Sequence, residues 1–192
     1  MNHDSYPDTY IRGILNTVKS IAMVGASDKE SRPSYFAFKY LLERGYNMIP
    51  INPGIAGQTL LGRPVYARLA DVPEPIDMVD IFRASRFALA IVQEALELKP
   101  RPQVIWMQLG VRDDAAAALA EANGMKVVMN RCPKIEYGRL SSEIAWMGVN
   151  TRTLSSKRAT ANGIQRLTLN RMSAPGGATA AAERAQREEI DA

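Results

Sequence analysis

The run VGASDKESRPS, residues 24–34, contains the kinds of residue that suit the binding of a phosphate group. Gly25 and Ala26 are small enough for a ligand to approach the backbone closely, and Ser27 adds a hydroxyl group. Arg32 stands just before a predicted helix, and the amides at a helix N-terminus bind anions. A glycine in this place would also suit any tight turn between a strand and a helix. The run by itself therefore indicates a pyrophosphate site but does not separate it from an ordinary turn.

The elements that position this run are predicted from the pattern of apolar residues. Five short apolar runs are predicted strands: residues 20–25 (SIAMVG), 47–51 (NMIPI), 78–82 (MVDIF), 104–108 (VIWMQ) and 125–129 (MKVVM). Nearly every residue in them is apolar, which is typical of parallel strands buried on both faces. Helices are predicted at residues 9–18, 34–44, 85–98 and 113–123, and an ordered excursion rich in glycine and proline at residues 52–75. This alternation predicts an α/β fold around a parallel sheet.

The residues that follow the predicted strands are the candidate binding residues. Ligands of open parallel sheets lie outside the carboxyl ends of the strands, where the strand order reverses. In chain order these positions are Gly25, Ala26 and Ser27; Asn52 and Pro53; Phe82 and Arg83; Gln108, Leu109 and Gly110; and Asn130, Arg131, Cys132 and Pro133. They are mostly small residues, amides and arginines, with neither a histidine nor a carboxylate cluster. The pattern favours binding over acid–base chemistry.

A site for NAD predicts two features that this sequence lacks. One is the pattern G-x-G-x-x-G in the first turn, and the other is a carboxylate at the end of the second strand to hold the ribose hydroxyls. Asn52 and Pro53 stand where that carboxylate would be. A fixed negative charge there would repel a phosphorylated ribose, so its absence favours a ligand that carries one. Coenzyme A (CoA), with a 3′-phosphate, and NADP, with a 2′-phosphate, both qualify.

Several motifs together resemble the bacterial and archaeal CoA-binding domain proteins, which are stand-alone relatives of the N-terminal domain of the succinyl-CoA synthetase alpha subunit. In order and spacing these are IAMVGAS, SRPS, RGYNMIPINP, GRPVYARLADVP, DMVDIFRAS, VIWMQLG and NRCPKIEYGRL, within about residues 10–158. The resemblance implies a Rossmann-like fold with about five parallel strands, helices on both faces of the sheet, and CoA at the strand ends.

The resemblance also implies a role for each candidate residue. The phosphates would meet Gly25, Ala26, Ser27 and Arg32, and the adenosine end would meet Asn52 and Pro53. The middle of the groove would be lined by Phe82, Arg83, Gln108, Leu109 and Gly110, and its far wall by Arg131, Cys132 and Pro133. Asn130 departs from the family, whose members often carry aspartate there, so no role that needs a charge is expected at this position.

The predicted function is non-catalytic binding of CoA or an acyl-CoA, in a carrier, sensor or regulatory role. The synthetase relatives use a phosphorylated histidine, but His3 in the leading segment is the single histidine of this chain. Two alternatives stay open: an NADP-linked oxidoreductase, and an interaction subunit that has lost its ligand. No metal is predicted. Cys132 is expected to be a small buried residue; were it exposed beside CoA, it could form a mixed disulfide with the ligand thiol.

The charge of the chain lies mainly near its C-terminus. The formal net charge is +4, of which residues 1–150 contribute +1 and residues 151–192 contribute +3. We therefore expect a binding domain at residues 1–150 followed by a polar, basic and flexible tail at residues 151–192. No basic stripe with interleaved aromatics suggests nucleic acid, and no apolar run suggests a membrane span or a secretory signal. A cytoplasmic protein is expected, with a homo-oligomer or a protein partner left open.

Overall fold

The computed structural model describes residues 1–141. In chain order the elements are α1 (Asp8–Thr17), β1 (Ser20–Val24), α2 (Pro33–Glu43), β2 (Asn47–Ile51), β3 (Thr59–Leu60), β4 (Arg63–Pro64), β5 (Met78–Ile81), α3 (Ala88–Glu97), β6 (Val104–Met107), α4 (Asp114–Ala122), β7 (Lys126–Val128) and α5 (Pro133–Leu140). Short 3₁₀ helices lie at Pro53–Ile55, Leu69–Asp71 and Ser85–Phe87. The tail predicted at residues 151–192 lies outside the described residues.

Five strands form a parallel sheet in the order β2-β1-β5-β6-β7. They are the five predicted strands, and their ends agree with the prediction to within one residue. The chain runs outward from β1 to β2 on one side, then returns to add β5, β6 and β7 on the other. The strand order therefore reverses between β1 and β5, which makes the carboxyl ends of these two strands the expected place for a ligand.

Helices cover both faces of the sheet, as predicted. Successive residues of a strand point to opposite faces, so Ala22 packs in one core and its neighbours Ile21 and Met23 in the other. The core containing Ala22 lies beneath α3 and α4, and the second core lies beneath α1, α2 and α5. Both faces of the strands are buried, which explains why the runs are apolar throughout. The structure is a Rossmann-like α/β fold.

The predicted excursion between β2 and β5 is ordered and is attached to the end of β2. It contains the antiparallel pair β3–β4 and a parallel bridge between Ile51 and Tyr66. The backbone N–H of Tyr66 donates to the carbonyl of Pro50 at 3.0 Å, and the N–H of Asn52 donates to the carbonyl of Tyr66 at 2.9 Å. These bonds hold the excursion against the carboxyl end of β2, so it forms one side of the expected ligand site.

The outer edge of β7 is covered by two tyrosines from the N-terminal part of the chain. The Tyr10 hydroxyl donates to the carbonyl of Val127 and accepts from the Val127 N–H, both at 3.2 Å. The Tyr6 hydroxyl accepts from the Met129 N–H at 2.7 Å. An uncovered edge strand would present unpaired backbone groups to other chains. The helix predicted at residues 9–18 thus covers an edge of the sheet, as expected.

Candidate functional site

A cavity of about 220 Å³ lies at the carboxyl ends of β1 and β2, beside the point where the strand order reverses. We call it the strand-end cavity. Three predicted residues line it, Gly25, Pro53 and Arg83. Its other polar or aromatic lining residues are Arg68, Phe87 and Glu94, which the sequence did not indicate. The cavity lies between the excursion after β2 and the helix α3.

Gly25 occupies a position that other residues cannot adopt without strain. Its φ is +95°, and a Cβ built on it would lie 2.6 Å from the carbonyl oxygen of Phe82 and 3.0 Å from Cδ of Arg83. The Gly25 N–H donates to the carbonyl of Ile51 at 2.9 Å, and the Phe82 N–H donates to the carbonyl of Val24 at 2.8 Å. The glycine therefore allows the ends of β1, β2 and β5 to come together.

The turn after β1 is held in place by Asn52. Its Nδ2 donates to the carbonyl of Ala26 at 2.7 Å, and its Oδ1 accepts from the Gly54 N–H at 2.9 Å. Ala26 is buried, whereas Ser27 is partly exposed and its hydroxyl oxygen accepts from the Lys29 N–H at 3.2 Å. Arg32 is exposed immediately before α2. Because its amide groups bind the protein's own backbone, Asn52 shapes this turn.

Arg83 and the Phe87 ring line the α3 side of the cavity, and Arg86 lies over the same ring. Cζ of Arg83 lies 4.9 Å from the centroid of the Phe87 ring, and Cζ of Arg86 lies 4.6 Å from it. Phe87 is 36% exposed, so part of its ring is accessible. Phe82 is partly buried against the core beneath α1, α2 and α5. The wall offers cations and a flat apolar surface together.

Arg68 of the excursion and Glu94 of α3 also line the strand-end cavity, and each is already bonded to other groups of the protein. Arg68 pairs with Asp71, with Nη2 at 2.9 Å from Oδ1. Glu94 Oε1 accepts from the N–H groups of Leu69 at 2.8 Å and Ala70 at 3.4 Å, so it caps a short 3₁₀ helix of the excursion. These contacts fasten the excursion to α3 and fix the width of the cavity.

Gln108 follows β6 and is bonded to a carboxyl group that the sequence did not indicate. Its Nε2 donates to both oxygens of Asp80, at 3.0 and 3.1 Å. Gln108 is 4% exposed and Asp80 is fully buried. Burial raises the pKa of Asp80 to about 8, although the hydrogen bond from Gln108 acts in the opposite direction. An ionisable carboxyl group paired with an amide thus lies beneath the strand ends next to the strand-order reversal.

The ends of β6 and β7 are joined through Asn130. Its Oδ1 accepts from the Gly110 N–H at 2.8 Å, and its φ is +52°, in the left-handed region that asparagine tolerates better than most residues. Leu109 is exposed beside it. Asn130 thus bonds the neighbouring turn through its side-chain oxygen, a contact that needs an acceptor and not a charge.

Arg131, Cys132 and Pro133 lead into α5. Arg131 lies over the Tyr6 ring at 5.7 Å, and its Nη1 donates to the carbonyl of Asn130 at 2.9 Å. Cys132 is buried, which confirms the expectation of a small buried residue. Burial raises the pKa of its thiol to about 11, so little thiolate exists at neutral pH and disulfide exchange there is disfavoured. Pro133 is buried at the first position of α5.

The structure brings some of the predicted residues together and leaves others apart. Gly25, Pro53 and Arg83 share the strand-end cavity, whereas Gln108 to Gly110 and Arg131 to Pro133 lie beyond its lining, at the ends of β6 and β7. Phe87, Ile91 and Glu94 were missed, although their spacing of four and three residues places them on one side of a helix. No spacing pattern in the sequence indicated that Arg68 lines the cavity.

Within residues 1–141 no group of three or more His, Cys, Asp or Glu side chains could hold a metal ion. No helix in the same range is long and apolar enough to cross a membrane.

The fold and the cavity define a Rossmann-like α/β protein with a cavity beside the strand-order reversal. The family model described as "CoA binding domain" matches residues 19–138, and the chain belongs to this family. The chain is 34% identical over 127 residues to the uncharacterized protein YneT of Bacillus subtilis. The matched region covers 66% of this chain and 91% of YneT.

Solved structures of other proteins are also similar to this chain. A protein of Thermus thermophilus is 35% identical, with a TM-score of 0.66, over 70% of this chain and 99% of its own. A hypothetical protein of Pyrococcus horikoshii OT3 is 36% identical, with a TM-score of 0.68, over 73% of this chain and 96% of its own. The family resemblance stated from the motifs is thereby confirmed.

Proposed function

We propose that this chain binds CoA or an acyl-CoA without catalysing a reaction, in a carrier, sensor or regulatory role. The adenosine end lies in the strand-end cavity, the pyrophosphate lies at the turn formed by Gly25, Ala26 and Ser27, and the pantetheine arm runs over the ends of β5 and β6. The family match supports a CoA ligand. The position of the cavity on the β2 side of the reversal supports this direction of the ligand across the sheet.

The observation that carries the proposal is the group of Arg83, Arg86 and the exposed Phe87 ring. Neither arginine side chain forms an ion pair or hydrogen bond with any residue in the described part of the chain. A guanidinium stacked on an aromatic ring and lacking an acidic partner is well suited to a phosphate. The ring offers a flat surface for a purine base. The ligand chemistry that fits is an aromatic base linked to several phosphates, as in CoA.

Binding without chemistry is supported by the groups at the strand ends. The Glu94 carboxylate lines the cavity, but it already accepts hydrogen bonds from the N–H groups of Leu69 and Ala70. The other acidic groups at the strand ends, Asp80 and Cys132, are buried. A general acid or base must reach the proton that it transfers, and these two groups lie beneath the surface. The thiol also keeps its proton at neutral pH, because burial raises its pKa to about 11.

Calorimetric titration with CoA, acetyl-CoA, NADP and NAD tests the proposal. We expect micromolar binding of CoA or its thioester and little response to the nicotinamide cofactors. Replacement Arg83→Gln should weaken CoA binding about tenfold, as expected for the loss of a charge-assisted hydrogen bond. Arg101→Gln is the matched control, because Arg101 is exposed beyond the other end of α3 and bonds only the carbonyl of Leu96 among described residues.

Two results would contradict the proposal. One is the absence of binding by all four compounds, which would favour an interaction subunit without a ligand. The other is binding of NADP as tight as that of CoA, which would favour the oxidoreductase. Equal effects of Arg83→Gln and Arg101→Gln on CoA would show that CoA binds away from the strand-end cavity.

A further inference from the structure

Within residues 1–141, Asp80 and Gln108 form a buried polar pair at the strand ends that the adenosine and phosphate contacts do not use. Asp80 stands in β5 opposite Trp106 of β6, and its side chain is fully buried. An isolated carboxyl group is unfavourable in such a place unless it is hydrogen-bonded. Within residues 1–141 its hydrogen-bond partner is Gln108, whose Nε2 reaches both carboxyl oxygens at 3.0 and 3.1 Å.

This contact fixes which end of the Gln108 amide faces outward. An ionised carboxylate only accepts hydrogen bonds, so it must bind the nitrogen end of the amide. Oε1 then points away and accepts no hydrogen bond from a described residue. The described residues contain no buried side-chain nitrogen or oxygen without a partner, so Oε1 reaches the surface. The result is an oriented acceptor at the carboxyl end of β6.

We infer that Gln108 Oε1 accepts a hydrogen bond from an amide N–H of the ligand's pantetheine arm, and that Asp80 is the positioning residue that holds the amide in this orientation. The inference rests on the proposed function and adds to it the recognition of the arm. The pantetheine arm carries two amide groups, and each N–H that is removed from water needs an acceptor. The adenosine 3′,5′-bisphosphate part of CoA lacks these groups.

Protonation of Asp80 reverses the arrangement. A neutral carboxyl group donates through its hydroxyl, and the acceptor within reach is Oε1 of Gln108. The amide then turns and presents an N–H outward, which repels the N–H of the arm. Cys132, at the start of α5, is the described titratable group whose pKa is influenced by Asp80, and Lys134 acts on the same thiol. Burial raises the pKa of the Cys132 thiol to about 11, so this thiol does not change charge while Asp80 titrates.

The test measures the affinities of wild type, Asp80→Asn and Gln108→Met for CoA and for adenosine 3′,5′-bisphosphate. The substitution Asp80→Asn allows the Gln108 amide to turn in the same way as protonation of the Asp80 carboxyl does. At pH 8.5 we expect each variant to weaken CoA binding about tenfold and to leave the bisphosphate unchanged. At pH 6.5 the loss caused by Asp80→Asn should shrink to about twofold, because the wild-type carboxyl is then protonated. Comparing variant with wild type at each pH cancels the titration of the ligand itself.

Gln103→Met serves as the control, because Gln103 is exposed just before the start of β6 and should change neither affinity. Equal losses for both ligands, or no loss for CoA in Asp80→Asn at pH 8.5, would overturn the inference. If Gln108→Met does not fold, the isosteric Asp80→Asn still gives the comparison. Failure of the proposed function gives a different result, since wild type would then bind neither CoA nor the bisphosphate.

Discussion

The substitution Gly25→Ala tests the geometry of the turn after β1. At φ +95° an alanine is strained, and its Cβ would lie 2.6 Å from the carbonyl oxygen of Phe82. That oxygen belongs to the backbone at the end of β5, so it cannot move aside as a flexible side chain would. The ends of β1 and β5 must therefore separate. Gly124→Ala is a matched control, because Gly124 has φ +81° but no atom within 4 Å of its Cβ position.

The two variants separate the cost of the backbone angle from the cost of the clash. Holding an alanine in the left-handed region costs about 1–2 kcal/mol. Both variants carry this cost. In both, the lower entropy of the unfolded chain offsets a similar part of it. The clash at position 25 adds about 1–3 kcal/mol, which is typical of forcing extra atoms into a packed region. We therefore expect Gly25→Ala to lower the free energy of unfolding by about 2–5 kcal/mol, and Gly124→Ala by about 1–2 kcal/mol.

Denaturant unfolding measures this difference, and calorimetric titration measures its effect on the ligand. The melting temperature of Gly25→Ala should fall by about 10 °C, since 1 kcal/mol corresponds to about 2–4 °C in a chain of this size. CoA affinity should fall in Gly25→Ala and stay unchanged in Gly124→Ala. If the two variants lose the same stability, the close approach of Gly25 to the end of β5 is wrong.

Three further predictions concern buried groups and the sheet edge. Because burial raises the pKa of Asp80 from 3.8 in the unfolded chain to about 8, its contribution to stability is fully present below about pH 4 and is lost as pH rises toward 8. Asp80→Asn should therefore gain stability relative to wild type between pH 5 and pH 8 in denaturant titrations, and a constant difference would refute the raised pKa. Tyr6→Phe removes the acceptor of the Met129 N–H and should cost about 1–3 kcal/mol, with faster hydrogen exchange of that amide; unchanged exchange would contradict the edge contact. The Cys132 thiol should react slowly with a disulfide reagent in the native protein and rapidly in denaturant, whereas rapid native labelling would show that it is exposed.

The sheet was predictable because its strands are buried on both faces. That burial requires apolar residues at nearly every position, and the five runs were recognisable for this reason. The helix α5 was not predicted, since its sequence PKIEYGRL contains a glycine and few apolar residues. It makes contacts with residues distant in sequence, such as the ion pair of Arg139 with Asp8 at 2.7 Å, and no local pattern indicates these contacts. The strands β3 and β4 have two residues each, which is too short for a periodic pattern.

The candidate site was predictable where function depends on strand ends and not where it depends on tertiary contacts. Gly25 and Arg83 follow strands directly and line the strand-end cavity. Asn52 also follows a strand, but its amide bonds the turn after β1, and no sequence pattern distinguishes that use from ligand contact. Asp80 looked like one polar residue within an apolar strand. Its pairing with Gln108 depends on the register between β5 and β6, which the sequence does not reveal.

The most direct test of the central claim is a crystal structure of the protein grown with saturating CoA. We expect the adenine base to lie against Phe87 in the strand-end cavity. The pyrophosphate should lie at the turn formed by Gly25, Ala26 and Ser27, and the pantetheine arm should pass Gln108. CoA bound on another surface, or crystals without CoA at a saturating concentration, would contradict the account.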